Sequence, residues 1–109
     1  MRAQLTFRKA HVDARMPVRV DDEHYAIYAI DWYRIPPFKS ANLRTGVALK
    51  TCPDGVRLTL IPREGPDVAV EPDYVGELVV RLDNKSPEEV RVADREMIGQ
   101  IRINKMQGC

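Results

Sequence analysis

The sequence predicts an all-β fold of short strands with little or no helix. Three observations carry this. Apolar and polar residues alternate over short runs, the period of a strand, while the 3.6-residue helical period is almost absent. Turn residues separate the runs, and the eight prolines fall between them, where a missing N–H does least harm. The runs are many and short, which in 109 residues means one sandwich or barrel domain, spanning residues 1–109.

Leu5-Thr6-Phe7 opens the strand series and Pro17-Val18-Arg19-Val20 follows. Residues 25–33 are aromatic and β-branched enough for a third strand. Residues 43–51 and 56–61 flank Cys52-Pro53-Asp54-Gly55, which reads as the turn of a hairpin. Val68-Ala69-Val70 leads into a turn, and residues 76–82 alternate up to Asp83-Asn84-Lys85-Ser86-Pro87. The segment 71–77 is expected to form a hairpin between these two strands. Val90-Arg91-Val92 and residues 98–103 close the series, and only Pro87-Glu88-Glu89 has any helical character.

Composition narrows function by exclusion. Net charge is +1, from 17 basic and 16 acidic residues, so no nucleic-acid or membrane partner is expected. No apolar run approaches a membrane span, and the first five residues lack an apolar signal core, which makes the cytoplasm the expected location. The two cysteines, Cys52 and Cys109, are too few for a disulfide framework. Cys52 reads as a semi-buried turn residue and Cys109 as mobile. His11 and His24 have no neighbour at metal-ligand spacing.

The succession of motifs resembles the trimeric deoxyuridine triphosphatases (dUTPases). Ala14-Arg15-Met16-Pro17 is similar to the family's Ala-x-x-Pro opening. Tyr25-Ala26-Ile27-Tyr28-Ala29 falls at Ala-Gly-Tyr-Asp-Leu, and Ile35-Pro36-Pro37 at Ile-Pro-Pro. Thr45-Gly46-Val47-Ala48-Leu49 and Pro53-Asp54-Gly55 fall at Thr-Gly-x-x-x and Pro-x-Gly. Pro62-Arg63-Glu64-Gly65 resembles Pro-Arg-Ser-Gly, and residues 71–77 resemble Asp-x-Asp-Tyr-Arg-Gly-Glu. Asn84 matches the Asn ending the next strand, and residues 95–100 fall at Gly-Asp-Arg-Ile-Ala-Gln. The resemblance implies a dUTPase-like β-clip, a distorted jelly-roll barrel.

The departures sit where the family's chemistry would be. Hydrolysis between the α- and β-phosphates needs a metal to neutralise phosphate charge and a base to orient water. Ala26 replaces the motif-one Asp that helps hold the metal assembly. Glu64 replaces a phosphate-binding Ser with a repelling charge. Glu71 stands at the base position, one methylene longer than Asp, and base placement is sensitive to about an ångström. Arg95 and Met97 replace the Gly and Arg of the fourth motif. Only Pro66-Asp67 separates Gly65 from Val68, where the family has a helix and a strand. Residues 105–109 hold one glycine where the family has a Gly-rich arm that cradles phosphate. No catalytic residue is expected on this reading.

Binding positions survive better. The resemblance implies that Tyr74 packs on deoxyribose and that Arg63 meets phosphate, a task its planar fork suits. Gly65, Glu71, Gly76 and Gln100 complete the expected deoxynucleotide set. The plainer readings are that Tyr74 fills an inner face, that Arg63 pairs with Glu64 or Asp67, and that the glycines serve turns. Arg8 is expected to lie apart from Tyr74.

The functional expectation is a non-catalytic dUTPase-like protein of phage or viral character that acts through an unidentified protein partner. The alternatives are a nucleotide-sequestering protein, a weakly active dUTP diphosphatase and a structural trimer such as a virion component. No cofactor is expected, and magnesium only where a nucleotide is bound. The family assembles as a trimer, and open sheet edges in so small a β domain favour the same here, so a homotrimer is expected.

Overall fold

The computed structural model describes residues 5–105. Those residues form ten strands and no helix. In chain order they are β1 (Thr6–Lys9), β2 (Val18–Arg19), β3 (His24–Tyr28), β4 (Tyr33–Ile35) and β5 (Ser40–Thr51). Then come β6 (Val56–Pro62), β7 (Val68–Val70), β8 (Glu77–Asp83), β9 (Val90–Val92) and β10 (Met97–Lys105).

Alternation dictates which face of each strand is buried. In β8, Leu78, Val80 and Leu82 are buried while Val79 and Arg81 are exposed. In β6, Leu58, Leu60 and Pro62 point inward between more exposed neighbours. One sheet runs β1-β5-β8 and another β2-β3-β10-β6-β7, all pairs antiparallel. Their inner faces merge in one apolar cluster that includes Leu43, Val47 and Val80 from the first sheet and Ile27, Leu58 and Ile101 from the second. A two-stranded ribbon, β4-β9, adds Ile35 and Val92 to the same cluster. Leaving water is what holds these layers together, at about 25 cal/mol per Å² of apolar surface.

Three sequence expectations change. The turn at residues 52–55 is not a hairpin, because β5 pairs with β1 and β8 while β6 pairs with β10 and β7. Both edges of β5 are taken, so the link carries the chain from one sheet to the other. Residues 71–77 are likewise a crossover, since β7 pairs with β6 and β8 with β5. Residues 25–33 split into β3 and β4. After Tyr28 the backbone turns away from β10: the Ala29 N–H donates to the Glu96 carbonyl at 2.9 Å and the Ile30 N–H to the Arg44 carbonyl at 3.0 Å. Asp31 then caps the break, its carboxylate accepting from the Trp32 N–H at 2.8 Å. Cys109 and most of the 105–109 segment lie outside the described residues.

The Thr45-Gly46 motif has a structural cause. The β5–β8 register shifts between Arg44 and Ala48. Buried Thr45 bridges the irregularity, donating to the Leu78 carbonyl at 2.6 Å. Gly46 sits at φ 70, and a Cβ there would lie 2.9 Å from both Ala14 Cβ and Ile30 Cγ2. Only glycine meets both demands.

Candidate functional site

The predicted site residues fall into two groups. Arg63 leaves the end of β6, where its N–H donates to the Ile98 carbonyl at 2.9 Å. Its guanidinium reaches neither Glu64 nor Asp67. It is paired instead with the Glu96 carboxylate and also donates to the Met97 carbonyl at 3.2 Å. The Arg63 hydrogen bond holds the Glu96 carboxyl below the ordinary glutamate value, with help from the Ala93 N–H. Gly65 lies against the Arg81 carbonyl and the Asp83 carboxylate. Gln100, half-buried in β10, is the register partner of Ala26 on one side and Ile61 on the other.

Beside Arg63 and Glu64 opens a cleft of about 320 Å³, whose walls include Ile35, Leu82, Asp83, Asn84 and Lys85. The Asp83 carboxylate accepts from the Ser40 hydroxyl at 2.6 Å and from Arg81 at 3.0 Å, which lowers its pKa. Two carboxylates, Glu64 and Asp83, therefore face the cleft with Lys85 and an arginine already engaged by Glu96. Asn84 is buried at 4% exposure and holds the cleft's far wall. Its Nδ2 donates to the Ile35, Pro36 and Glu88 carbonyls at 3.0, 3.1 and 2.7 Å. Its Oδ1 accepts from the Ser86 N–H and hydroxyl.

The second group is Glu71, Tyr74 and Gly76. The Tyr74 N–H donates to the Glu71 carbonyl at 3.0 Å, closing a turn that leaves the Glu71 side chain exposed. Tyr74 folds back over Gly76, and its hydroxyl donates to the Glu77 carbonyl at 3.1 Å. A Cβ on Gly76 would stand 2.5 Å from that hydroxyl oxygen. Tyr74 is thus 45% exposed rather than filling an inner face. Arg8 is not remote from it, since its guanidinium donates to the Val75 carbonyl at 2.8 Å.

The two groups adjoin opposite ends of β8: Gly65 meets Asp83, and Gly76 precedes Glu77. A seven-residue strand spans roughly 20 Å. Within one chain the six expected residues do not converge. Nor do they make a metal site. Ala26 is a buried methyl group in β3, and among the described residues no three His, Cys, Asp or Glu side chains cluster to hold an ion.

Sequence reading missed Glu96 and Asp83 as partners within this site. Glu96 carried a weak signal, an acidic residue in a turn beside the position of a family glycine. That turn, residues 93–96, is closed by the Glu96 N–H on the Ala93 carbonyl at 3.1 Å. Its third residue, Arg95, sits at φ 67, a conformation that favours glycine.

No family model matches the chain, and no curated protein does. Solved structures do. The chain is similar to the dUTPase of Staphylococcus bacteriophage 80alpha, solved as an Asp-to-Asn mutant with dUpNHpp: TM-score 0.84, 19% identity, covering 97% of this chain and 92% of that one. It is similar to an Asp-to-Glu mutant of the 80alpha phage dUTPase, from work on the link between enzymatic activity and SaPI-inducing capacity, at TM-score 0.85 and 20% identity over 100% of this chain and 87% of that one. The dUTPase of phage phi11 of S. aureus, which coordinates a structural Mg(II) ion, matches at TM-score 0.83 and 19% identity over 98% of this chain and 94% of that one. The chain has the dUTPase-like β fold.

Proposed function

We propose that this chain is a dUTPase-fold protein that does not hydrolyse dUTP and acts by contacting other proteins. The observation that carries the reading is the state of Arg63. The arginine at the phosphate position is occupied by Glu96, and Glu64 and Asp83 line the cleft beside it. An incoming triphosphate would have to displace one carboxylate and approach two more, where the reaction needs positive charge focused on the phosphates. Ala26 offers no ligand to a metal. A structural neighbour in which enzymatic activity is linked to a SaPI-inducing capacity supports the idea that this scaffold also serves purposes other than hydrolysis. A phage origin and a cytoplasmic location belong to the same proposal. Among the described residues no helix is long and apolar enough to cross a membrane.

Arg63, Gly65, Glu71, Tyr74, Gly76 and Gln100 remain the residues assigned to any deoxynucleotide that binds. Because Arg63 and Gly65 adjoin one end of β8 and Tyr74 the other, a ligand touching both groups needs a second copy of the chain. A homotrimer supplies one. The outer strands of the larger sheet, β2 and β7, are edges that such assembly would cover.

The test is pyrophosphate release from dUTP with magnesium. No turnover is expected, and a rate on the order of 1 per second, ordinary for an enzyme, would overturn the reading. Light scattering at micromolar protein is expected to give three times the 12.4 kDa chain mass. A single chain mass would remove the trimer.

A further inference from the structure

The β4–β9 ribbon has two unlike faces. Ile35 and Val92 point into the core at 1% and 0% exposure. The opposite face carries Arg34 and Arg91, which stand directly across from each other in register. Their side chains are 73% and 71% exposed. Like charges at such a cross-strand pair oppose folding, because their Cβ atoms are only about 5 Å apart. One carboxylate, Glu89, serves both, at 3.9 Å from Arg34 and 3.8 Å from Arg91. Those distances are ion pairs and too long for hydrogen bonds. Among the described residues both guanidinium forks therefore stay open.

Two residues before Arg34, just ahead of β4, is Trp32, the only tryptophan in the chain and 72% exposed. At the ribbon's other end Phe38 is 68% exposed and held at φ 59. A bulky residue in that conformation is strained, and such strain concentrates where a surface is used. Asn84 fixes the ribbon from below through the Ile35 and Pro36 carbonyls, so the face is presented on rigid backbone.

We propose that the outer face of the β4–β9 ribbon is the docking site for a partner-protein segment that presents one aspartate or glutamate next to an apolar side chain. This rests on the protein-contact reading above. The carboxylate takes both guanidinium forks and relieves their repulsion, the arrangement in which Arg binds most strongly. The apolar neighbour packs on Trp32. Arg and Trp are the side chains that most often dominate such interfaces. A polynucleotide fits less well. It needs a continuous basic track along its backbone, whereas here there is one pair of arginines, and the neighbouring Glu88, Glu89 and Asp94 restrict a partner to a single acidic residue between them.

The experiment selects random linear peptides on the full chain. It then compares their binding to the wild type, to the double variant Arg34→Glu/Arg91→Glu and to Trp32→Ala. Every substituted side chain is exposed, and a melting curve checks each fold. Enriched peptides are expected to carry an acidic residue beside an apolar one. Synthetic copies are expected to shift the single-tryptophan emission to shorter wavelength and to lose roughly tenfold affinity or more on the double variant. The conservative variant Arg34→Lys/Arg91→Lys, which keeps charge and loses the forks, is expected to bind in between. Three outcomes overturn the site: enriched peptides indifferent to the double variant, no enrichment of acidic peptides, or oligothymidylate binding with quenching of Trp32 while the acidic peptides do not bind. The first of these leaves the protein-contact reading standing with its surface elsewhere; that reading falls separately, to dUTP turnover.

Discussion

Replacing Asn84 with alanine tests whether one buried amide holds the ribbon to the body of the protein. Its Nδ2 has two hydrogens and faces three carbonyls, and its Oδ1 takes two donors from Ser86. Asn84→Ala removes all of these contacts and leaves the backbone bond from its own N–H to the Lys39 carbonyl at 2.8 Å. Each ordinary hydrogen bond contributes about 1 kcal/mol net, and a buried acceptor left without a donor costs about 1–3 kcal/mol. Pro36 and Glu88 are exposed, so water replaces their lost donor. Ile35 is 1% exposed, and its carbonyl bears the larger penalty. The expected loss is about 3–4 kcal/mol, a large share of a small domain's roughly 5–15 kcal/mol. For a domain near this size each kcal/mol moves the midpoint by roughly 4–8 °C, so the drop is expected to be roughly 15 °C or more. Thermal melting and urea titration measure it, with Ser86→Ala as a milder comparison, expected to lose about 1 kcal/mol. A midpoint for Asn84→Ala within roughly 3 °C of wild type, with an unchanged urea slope, would refute the reasoning.

Two further outcomes are expected. Arg95→Gly relieves a left-handed residue costing about 1–2 kcal/mol, offset by the roughly 0.5–1 kcal/mol of chain entropy that glycine adds. A melting point a few degrees above wild type is expected, and a lower one would show that the Arg95 side chain supports the fold. Glu77 is held below the ordinary glutamate value of 4.5, chiefly by its hydrogen bond from Arg44, whose Nε and Nη2 donate at 2.9 and 2.8 Å. A carboxyl with a depressed folded pKa stabilises the fold above its unfolded pKa, and that stability is lost as pH falls through the folded value. Unfolding free energy measured across acid pH should therefore decline below about 4.5, and Glu77→Gln should flatten that decline; an equal slope in the variant would exclude the pair as a contributor.

Strand identity was legible because alternation is a local property. Residues 78, 80 and 82 read as one face from their types alone, and they are the buried face of β8. The motif order pointed to the fold for a different reason: Gly46 and Asn84 answer fixed demands of the tertiary structure, a bulge closely approached by Ala14 and Ile30 and a cluster of carbonyls, that leave a mark on residue type. Arg95 shows the limit within a motif, since the turn holds a positive φ at a residue whose type does not announce it.

What the chain alone could not decide was which strand lies beside which. A period of two says where a strand's inner face is and nothing of its neighbour. The 52–55 link therefore reads as a hairpin in sequence, whereas β1 and β8 occupy both edges of β5. The same holds for charge. Arg63 lies next to Glu64 and four residues from Asp67 but pairs with Glu96, 33 positions away. Arg34 and Arg91 are ordinary surface arginines in sequence and become a repelling pair only when β4 meets β9. Side-chain type and spacing determined the strands and their inner faces. Strand pairing, set by which apolar faces could be buried together once the loops closed, decided which charges meet and hence what this surface can bind.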